Sequence, residues 1–247
     1  MRSRAVRQQA LDRLRSGATL SEVSRELSVS RSTLRCWREQ GPRPEQACCP
    51  ACEDSDLPGP EYAALLGYYL GDGCLSEAAR YVALRISCDT QYPLVVHDVV
   101  AAVTAVHSTR AAFRVTAPGC VVVQSHWKHW PCLFPQHGPG RKHERPIVLE
   151  EWQREIVQAQ PADFLRGLFH SDGSWVRNWA SRMVAGERKR YDYPRWQFTN
   201  VSDDIRGLCG WALDLVGVAW RRSNWKTLSV SRHADVARLD ELIGPKR

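Results

Sequence analysis

The sequence predicts an α+β protein in which two copies of one helix-and-strand unit form a pseudo-twofold pair, preceded by a small all-α segment. Three observations support this fold class. A long segment recurs after 100 residues, short runs in both copies alternate apolar and polar residues, and the N-terminal part carries helix caps and breakers. Of the 247 residues 43% are hydrophobic, which is ample for a packed core.

The positive charge of the chain is concentrated at its N-terminus. The net charge is +7, and residues 1–47 contain ten Arg and Lys against five acidic residues, so the other 200 residues carry only +2. Such a segment indicates an anionic partner such as nucleic acid. No run approaches the roughly 18 apolar residues of a membrane span, and we expect no membrane partner. Nine cysteines, mostly single, favour reduced thiols, as expected for a cytoplasmic protein.

Residues 1–41 are predicted to form three short helices. Thr19 and Glu22 have the spacing of a capping box at the start of the second helix, and Ser30 caps a third helix that ends at a Gly-Pro breaker. Two short helices joined by a tight turn resemble the helix-turn-helix of small regulators and transposases, which implies that the third helix enters the major groove. The alternative is an appendage that is basic for solubility or protein contact. The side chains expected on the outer side of the third helix are Arg31, Ser32, Thr33, Arg35 and Arg38.

Residues 42–60 are rich in proline and are predicted to be a linker. Within it Cys49 and Cys52 have the two-residue spacing of a zinc half-site. A closed structural zinc site needs four ligands, and we identify no second close pair, so Cys36 or a distant histidine would have to complete it. An ordinary reduced pair is therefore the preferred interpretation, with structural Zn²⁺ as the alternative.

The segments 65–73 (LLGYYLGDG) and 165–173 (LRGLFHSDG) are the centre of the internal repeat. The order of the elements that follow agrees in both copies, so we place the first repeat at 61–160 and the second at 161–247. The matching elements are the strand-like runs 81–88 and 195–200, the helical runs 94–106 and 205–216, and the strand candidates 111–116 and 121–126 with 218–222 and 226–232, with one more strand indicated near 177–184.

Each of these two segments predicts a buried helix that ends in an aspartate. Gly67 and Gly167 occupy the same place in the two helices and permit a crossing with close backbones, which would bring Asp72 and Asp172 together. An acid at a helix C-terminus is disfavoured, and a second acid beside it adds repulsion, so only a bound cation resolves the conflict. Carboxylate and carbonyl oxygens suit Mg²⁺. The alternative is an Asp-Gly turn that merely ends each helix.

The two nine-residue segments resemble the paired signatures of the LAGLIDADG (DOD-type) homing endonucleases in their two-repeat, single-chain form. The resemblance covers about residues 60–247. It implies a pair of αββαββα units whose saddle-shaped antiparallel sheets straddle the major groove of DNA, with metals at the interface beneath the minor groove. Flanking stretches that are also similar to the family are 125–130 (SHWKHW), 137–143 (HGPGRKH), 161–168 (PADFLRGL) and 236–246 (VARLDELIGPK).

The resemblance also implies roles for particular residues. Asp72 and Asp172 would hold divalent ions, Mg²⁺ or another, with the carbonyls of Gly71 and Ser171 as further ligands. A polar or basic side chain would lie beside each metal, and a second basic group would stabilise the transition state. Arg85 and Gln197 match the side chains beside the metals, and Lys142 and Lys246 match the second basic groups, with Lys226 as the substitute for Lys246. For Arg85, Gln197, Lys142 and Lys246 the alternative is a solvated or phosphate-contacting surface role.

Alternation along the predicted strands separates an apolar face from one that we expect to face DNA. Any half-buried strand alternates in this way, so the pattern is permissive only. A basic loop at 187–190 is a further candidate for phosphate contact, or a solvated basic turn. The DNA-facing candidates are Arg85 and Ser87 in the first repeat, Arg195, Gln197, Thr199, Thr227, Ser229 and Ser231 in the second, and Arg188, Lys189 and Arg190 in the loop.

Together these features predict a metal-dependent, site-specific endonuclease of the homing type that acts on double-stranded DNA as a monomer with internal pseudo-symmetry. The alternative is a DNA-binding transcriptional regulator that keeps the fold without cleaving; some bacterial sporulation regulators resemble this combination, with the helix-turn-helix placed differently. Retention of Asp72 and Asp172 favours the enzyme. His170 and Ser171 depart from the small apolar residues of the signature and would perturb the helix packing.

Overall fold

The structure, a computed structural model, describes residues 4–40, 49–53, 57–107 and 112–246. It divides into two compact units, Met1–Cys48 and Cys49–Arg247. The residues outside the described part include residue 41 at the end of the predicted helix-turn-helix segment, residues 42–48 and 54–56 of the predicted linker, and residue 111 at the start of a predicted strand. No helix in the described part of the chain is both long enough and apolar enough to cross a membrane.

The first unit contains the helices α1 (Arg4–Arg15), α2 (Leu20–Leu27) and α3 (Arg31–Gln40). The predicted capping box is present, because the Glu22 amide donates to the Thr19 hydroxyl and the Glu22 carboxylate accepts from the Thr19 amide at 2.7 Å. A small core holds the three helices together, and it consists of Ala10, Val23, Val29 and Leu34.

The second unit begins with the short helix α4 (Pro50–Glu53) and then repeats one series of elements twice. The predicted order lacked the first strand of the first copy, which is only five residues long. The first copy comprises α5 (Gly59–Asp72), β1 (Gly73–Glu77), β2 (Val82–Asp89), α6 (Pro93–Val106), β3 (Phe113–Ala117), β4 (Cys120–His126), α7 (Trp130–Leu133), the 3-10 turn Lys142–Glu144 and α8 (Glu151–Ala159). The second comprises α9 (Pro161–Asp172), β5 (Gly173–Val184), β6 (Glu187–Thr199), α10 (Asp203–Leu215), β7 (Arg221–Asn224), β8 (Thr227–Val230) and α11 (His233–Ile243).

Each copy forms one four-stranded antiparallel sheet, with the orders β1-β2-β4-β3 and β5-β6-β8-β7. The registers correspond as well. In the first sheet Cys74, two residues after Asp72, lies opposite Arg85. In the second sheet Ser174, two residues after Asp172, lies opposite Gln197. The predicted pseudo-twofold α+β architecture is confirmed.

The helices α5 and α9 cross at the centre of one continuous core that includes residues of both copies. A Cβ atom added to Gly67 would lie 2.9 Å from the Gly167 Cα atom and 2.8 Å from the Leu168 nitrogen. One added to Gly167 would lie 2.9 Å from the Gly67 Cα atom. The two backbones are therefore in contact, and no side chain fits between them.

The basic segment 187–190 is not a loop, as the sequence suggested, but the start of strand β6. It pairs with the end of β5 across a two-residue turn of Ala185 and Gly186, which both have positive φ, at +51° and +83°. Such turns match the right-handed twist of a hairpin. The strands β5 and β6 have 12 and 13 residues, against five and eight in β1 and β2, so the hairpin of the second copy is much longer.

We predict that Gly67→Ala lowers the free energy of unfolding by about 3 kcal/mol, because the added methyl group meets backbone atoms of α9 that cannot rotate away. Gly207→Ala in α10 is the matched control: an added Cβ there would meet no described atom within 4 Å, so alanine should raise stability by about 0.5–1 kcal/mol. Denaturation followed by tryptophan fluorescence compares the two. An equal effect of both substitutions would contradict the tight crossing.

Candidate active site

The crossing of α5 and α9 brings the C-terminal ends of the two helices together. Each helix ends at its aspartate, and the first strand of each copy begins with the next residue, a buried glycine. A Cβ added to Gly71 would lie 2.7 Å from the Ser171 hydroxyl oxygen and 3.4 Å from Oδ2 of Asp172. The residue before Asp72 therefore contacts the end of the partner helix, and the two carboxylates interact electrostatically.

The pKa values of both carboxyl groups are raised. Desolvation by the surrounding protein raises the pKa of the Asp72 carboxyl group, although the residue is exposed. Asp172 is half-buried, and desolvation together with the charge of Asp72 raises its pKa to about 6. The like-charge conflict predicted from the sequence is thus present in the folded protein.

Two lysines partly resolve this conflict. The ammonium group of Lys142 donates to the carbonyl oxygens of Tyr69, Leu70 and Gly71, at 2.6, 2.9 and 2.7 Å. It therefore caps the C-terminus of α5, where the helix dipole is negative.

Lys246 does the same at the end of α9. Its ammonium group donates to the carbonyl oxygens of Ser171 and Gly173, at 2.9 and 2.8 Å. Both lysines also lower the pKa of the two aspartates. The expectation of a bound cation therefore did not include these two lysines, two cations that the chain itself supplies.

Burial has the opposite effect on the lysines. Desolvation lowers the pKa of Lys142 to about 8, against the opposing effect of Asp172 and Asp72, and it also lowers the pKa of Lys246. The substitute Lys226 lies elsewhere, exposed in the β7–β8 turn with its ammonium group over the Trp225 ring.

We call the place where the ends of α5 and α9 meet, at Asp72 and Asp172, the seam. Its carboxylate and carbonyl groups form an all-oxygen set of donors that suits a hard divalent cation. Two carboxylates and the carbonyl oxygens of Gly71 and Ser171 lie at the two helix ends, where each of these carbonyl oxygens accepts a hydrogen bond from a lysine. Asp72 is accessible, and it lines an open cavity of about 320 Å³ together with Ser171 and Lys246. The residues present therefore fit Mg²⁺.

Asn200 is a site residue that the sequence did not reveal. Its side-chain nitrogen donates to Oδ2 of Asp172 at 2.6 Å, and its side-chain oxygen Oδ1 accepts from the Ser202 backbone amide at 2.8 Å. In the strand register Cys88 is the equivalent residue of the first copy, so the repeat gave no signal for an amide here. The hydrogen bond stabilises the charged form and lowers the pKa of Asp172.

The two unusual residues of the second signature are accommodated. The His170 ring is buried, with Nδ1 3.3 Å from the Tyr68 hydroxyl and Nε2 3.4 Å from the Gly244 carbonyl oxygen. The Ser171 hydroxyl donates to the Gly167 carbonyl oxygen at 2.6 Å. The backbones of the two helices remain in contact, so these residues do not disturb the packing.

The candidates for DNA contact on the strands differ in accessibility. Arg85, Ser87 and Thr199 are exposed, and Gln197 and Ser231 are half-buried. The other three lie on the same face as Gln197 and Thr199 but are buried, so they are not accessible in this structure. Arg195 is covered beside the Tyr193 ring, Thr227 faces the Thr199 hydroxyl, and Ser229 faces the Ser223 hydroxyl.

The remaining basic candidates are exposed. Arg188, Lys189 and Arg190 lie on the long hairpin, where the Arg190 guanidinium group stacks over the Trp179 ring at 5.1 Å and pairs with Asp192. In the first unit Thr33 is half-buried, with its hydroxyl 2.7 Å from that of Ser30. The exposed side chains on α3 are Arg31, Ser32, Arg35 and Arg38.

Cys49 and Cys52 do not stand alone, because His129 and Cys132 lie beside them. The four ligand atoms are all within 4.8 Å of one another. The expectation that no second close pair exists was wrong: His129 and Cys132 form it, about 80 residues further along the chain.

Two pseudo-symmetric αββαββα copies with an acid at the end of each crossing helix define the LAGLIDADG fold. Among solved structures, the chain is similar to I-DmoI in complex with DNA and Mn, with a TM-score of 0.50 and 11% identity over 76% of this chain and 98% of that one. It is also similar to the LAGLIDADG meganuclease I-AabMI bound to uncleaved DNA (TM-score 0.47, 12% identity, 73% and 82% of the chains). A third similar structure is the N-terminal LAGLIDADG domain of DUF199/WhiA (0.46, 14%, 76% and 83%).

Residues 1–42 match the family model described as Homeodomain-like domain. The search of curated proteins found no match to this sequence. The protein therefore has the two-repeat LAGLIDADG fold, with a helix-turn-helix unit at its N-terminus, as the sequence predicted.

We predict that Asn200→Ala raises the pKa of Asp172 above its value of about 6, because the charged form loses its hydrogen-bond donor. Carboxyl ¹³C chemical shifts of the metal-free protein, followed through a pH titration, measure this change. Asn178→Ala is the control, since that side-chain amide donates to the Tyr193 hydroxyl. An unchanged titration of Asp172 in the Asn200 variant would show that this hydrogen bond has no electrostatic effect.

Proposed function

We propose that this protein is a site-specific, metal-dependent endonuclease of the homing type that hydrolyses phosphodiester bonds in double-stranded DNA. The observation that carries the proposal is the seam itself, where two acids from duplicated halves meet and a lysine lies at the end of each helix. A purely structural helix end gains nothing from an acid there, since the helix dipole disfavours it. Each half would serve one DNA strand.

Asp72 and Asp172 would hold Mg²⁺ or another divalent cation, together with the carbonyl oxygens of Gly71 and Ser171. When bound, the cation supplies Lewis-acid stabilisation of phosphate oxygens and lowers the pKa of bound water. The similar fold of I-DmoI, whose structure is a complex with DNA and Mn, supports both the partner and the kind of ion.

The lysines supply positive charge next to the reacting phosphate. Lys142 and Lys246 each lie at a helix end within electrostatic range of both aspartates, so each can stabilise the charge that develops on a phosphate held there. Arg85 and Gln197 occupy equivalent strand positions opposite the second residue after each aspartate. There they would orient water or contact phosphate.

Both acids belong to one chain, so a monomer with internal pseudo-symmetry suffices for two cuts. The exposed basic residues of the long hairpin and of α3 would contact DNA phosphates. The longer hairpin of the second copy implies an asymmetric footprint on the DNA. A protein with this partner acts inside the cell.

A second candidate function is a DNA-binding regulator that does not cleave. The observation that favours it is the contact of Lys142 with Gly71 and of Lys246 with Ser171, because both carbonyls are satisfied by the chain itself. The helix-turn-helix unit is compatible with either function.

We predict that the native chain linearises supercoiled plasmids from a target library in the presence of Mg²⁺. Asp72→Asn and Asp172→Asn should each lower the rate of linearisation by about 10³-fold, equivalent to a loss of about 4 kcal/mol in transition-state stabilisation. Agarose gels of timed digests measure both nicking and linearisation.

Glu155→Gln, an exposed acid on α8, is the control and should cleave like the native chain. Tight binding without nicking of any plasmid, unchanged by EDTA, would favour the regulator. Full cleavage by the Asp72 variant would reject the assigned site.

We also predict that replacing Arg188, Lys189 and Arg190 together by alanine weakens DNA binding. The slope of log K against log salt should become shallower by about 1 for each DNA phosphate that the hairpin no longer neutralises, up to about 3. Fluorescence anisotropy at several salt concentrations measures the slope. The control is Arg154→Ala with Arg238→Ala, on the helices α8 and α11. The same change of slope per charge in both variants would show a general charge effect rather than phosphate binding by the hairpin.

A further inference from the structure

A second candidate metal site lies away from the two aspartates and uses different chemistry. It consists of Cys49, Cys52, His129 and Cys132. The Cys52 sulfur is 3.5 Å from the Cys132 sulfur and 3.5 Å from the His129 Nδ1 atom, and the latter is 3.8 Å from the Cys132 sulfur. All four ligands come from the Cys49–Arg247 unit.

These separations match a tetrahedral zinc site. With Zn–S bonds of about 2.3 Å and Zn–N bonds of about 2.0–2.1 Å, tetrahedral angles place neighbouring sulfurs about 3.8 Å apart and a sulfur about 3.6 Å from a nitrogen. The three cysteines are free thiols, so they are available as ligands. The four atoms need only small shifts to surround one ion.

The same backbone hydrogen bond closes a turn within each pair of ligands. The Cys52 amide donates to the Cys49 carbonyl oxygen at 2.9 Å, and the Cys132 amide donates to the His129 carbonyl oxygen at 3.0 Å. Each pair therefore spans one tight turn, which points the side chains of its first and fourth residues to the same side. Two such turns face each other, one at α4 and one at α7.

The donor atoms select the ion. Three sulfurs and one imidazole nitrogen are soft to borderline ligands that suit Zn²⁺ and not Mg²⁺. Four protein ligands leave no open position, which is the arrangement of a structural zinc rather than a catalytic one.

We propose that Cys49, Cys52, His129 and Cys132 bind one Zn²⁺ ion that fastens the start of the second unit to α7. The helix α4 has only four residues, too few to be stable without tertiary support. The ion supplies that support, because the free energy of metal binding contributes directly to folding. The site is independent of the proposed nuclease function.

The native chain, purified under reducing conditions, should contain one zinc per chain when measured by inductively coupled plasma mass spectrometry. Cys52→Ser and Cys132→Ser should each lose most of this zinc. Cys36→Ser, an exposed thiol of the first unit, should retain it and excludes that cysteine as a ligand. The double variant Asp72→Asn, Asp172→Asn should also retain it, which separates this site from the aspartate pair.

Reconstitution of the native chain with Co²⁺ tests the ligand set even if a cysteine variant fails to fold. We expect the visible d–d bands of tetrahedral cobalt and a thiolate charge-transfer band in the near ultraviolet, with one equivalent at saturation. Native protein without stoichiometric zinc and without these bands, or with a disulfide between Cys52 and Cys132 in the reduced preparation, would overturn the proposal.

Discussion

The architecture of the second unit depends on one close contact, the crossing of α5 and α9 at Gly67 and Gly167. Because no side chain separates the helices there, the last turns of both helices also meet, and an aspartate is fixed at each end. Each sheet starts directly after its aspartate, so the position of the crossing also sets the position of both sheets. The fold and the candidate site are thus consequences of the same packing constraint.

That constraint concentrates negative charge, and the chain compensates for it from a distance in sequence. Lys142 and Lys246 each reach back more than 70 residues to the end of a crossing helix, and partial burial there lowers the pKa of each. Two acids and two lysines leave the seam close to neutral. Under the proposed function, a divalent cation and a DNA phosphate that enter together would add a net charge of +1, half of what the cation alone would bring, which is favourable in a poorly solvated site.

Patterns in the sequence predicted most of the fold. Helix periodicity and strand alternation are visible in short runs of residues, and the repeat is visible when its two copies are compared. They also placed Asp72, Asp172 and the two glycines correctly. They missed β1, whose sequence GCLSE shows no clear alternation of apolar and polar residues, and they took the polar start of β6 for a loop. Contacts between distant segments leave no local signal, which explains why the contact of Asn200 with Asp172 and the pairing of His129 and Cys132 with Cys49 and Cys52 were not predicted.

The two halves are related by pseudo-symmetry but are not equivalent, and the difference is physical. Asp172 is half-buried and needs the hydrogen bond from Asn200 to favour its charged form, whereas Asp72 is exposed and has Cys88 at the position equivalent to Asn200. In a homodimer both sites would have to change together, since one sequence builds both. A single chain with two copies is free of that restriction, so the acid with the higher pKa and the longer hairpin could both arise in the second copy alone.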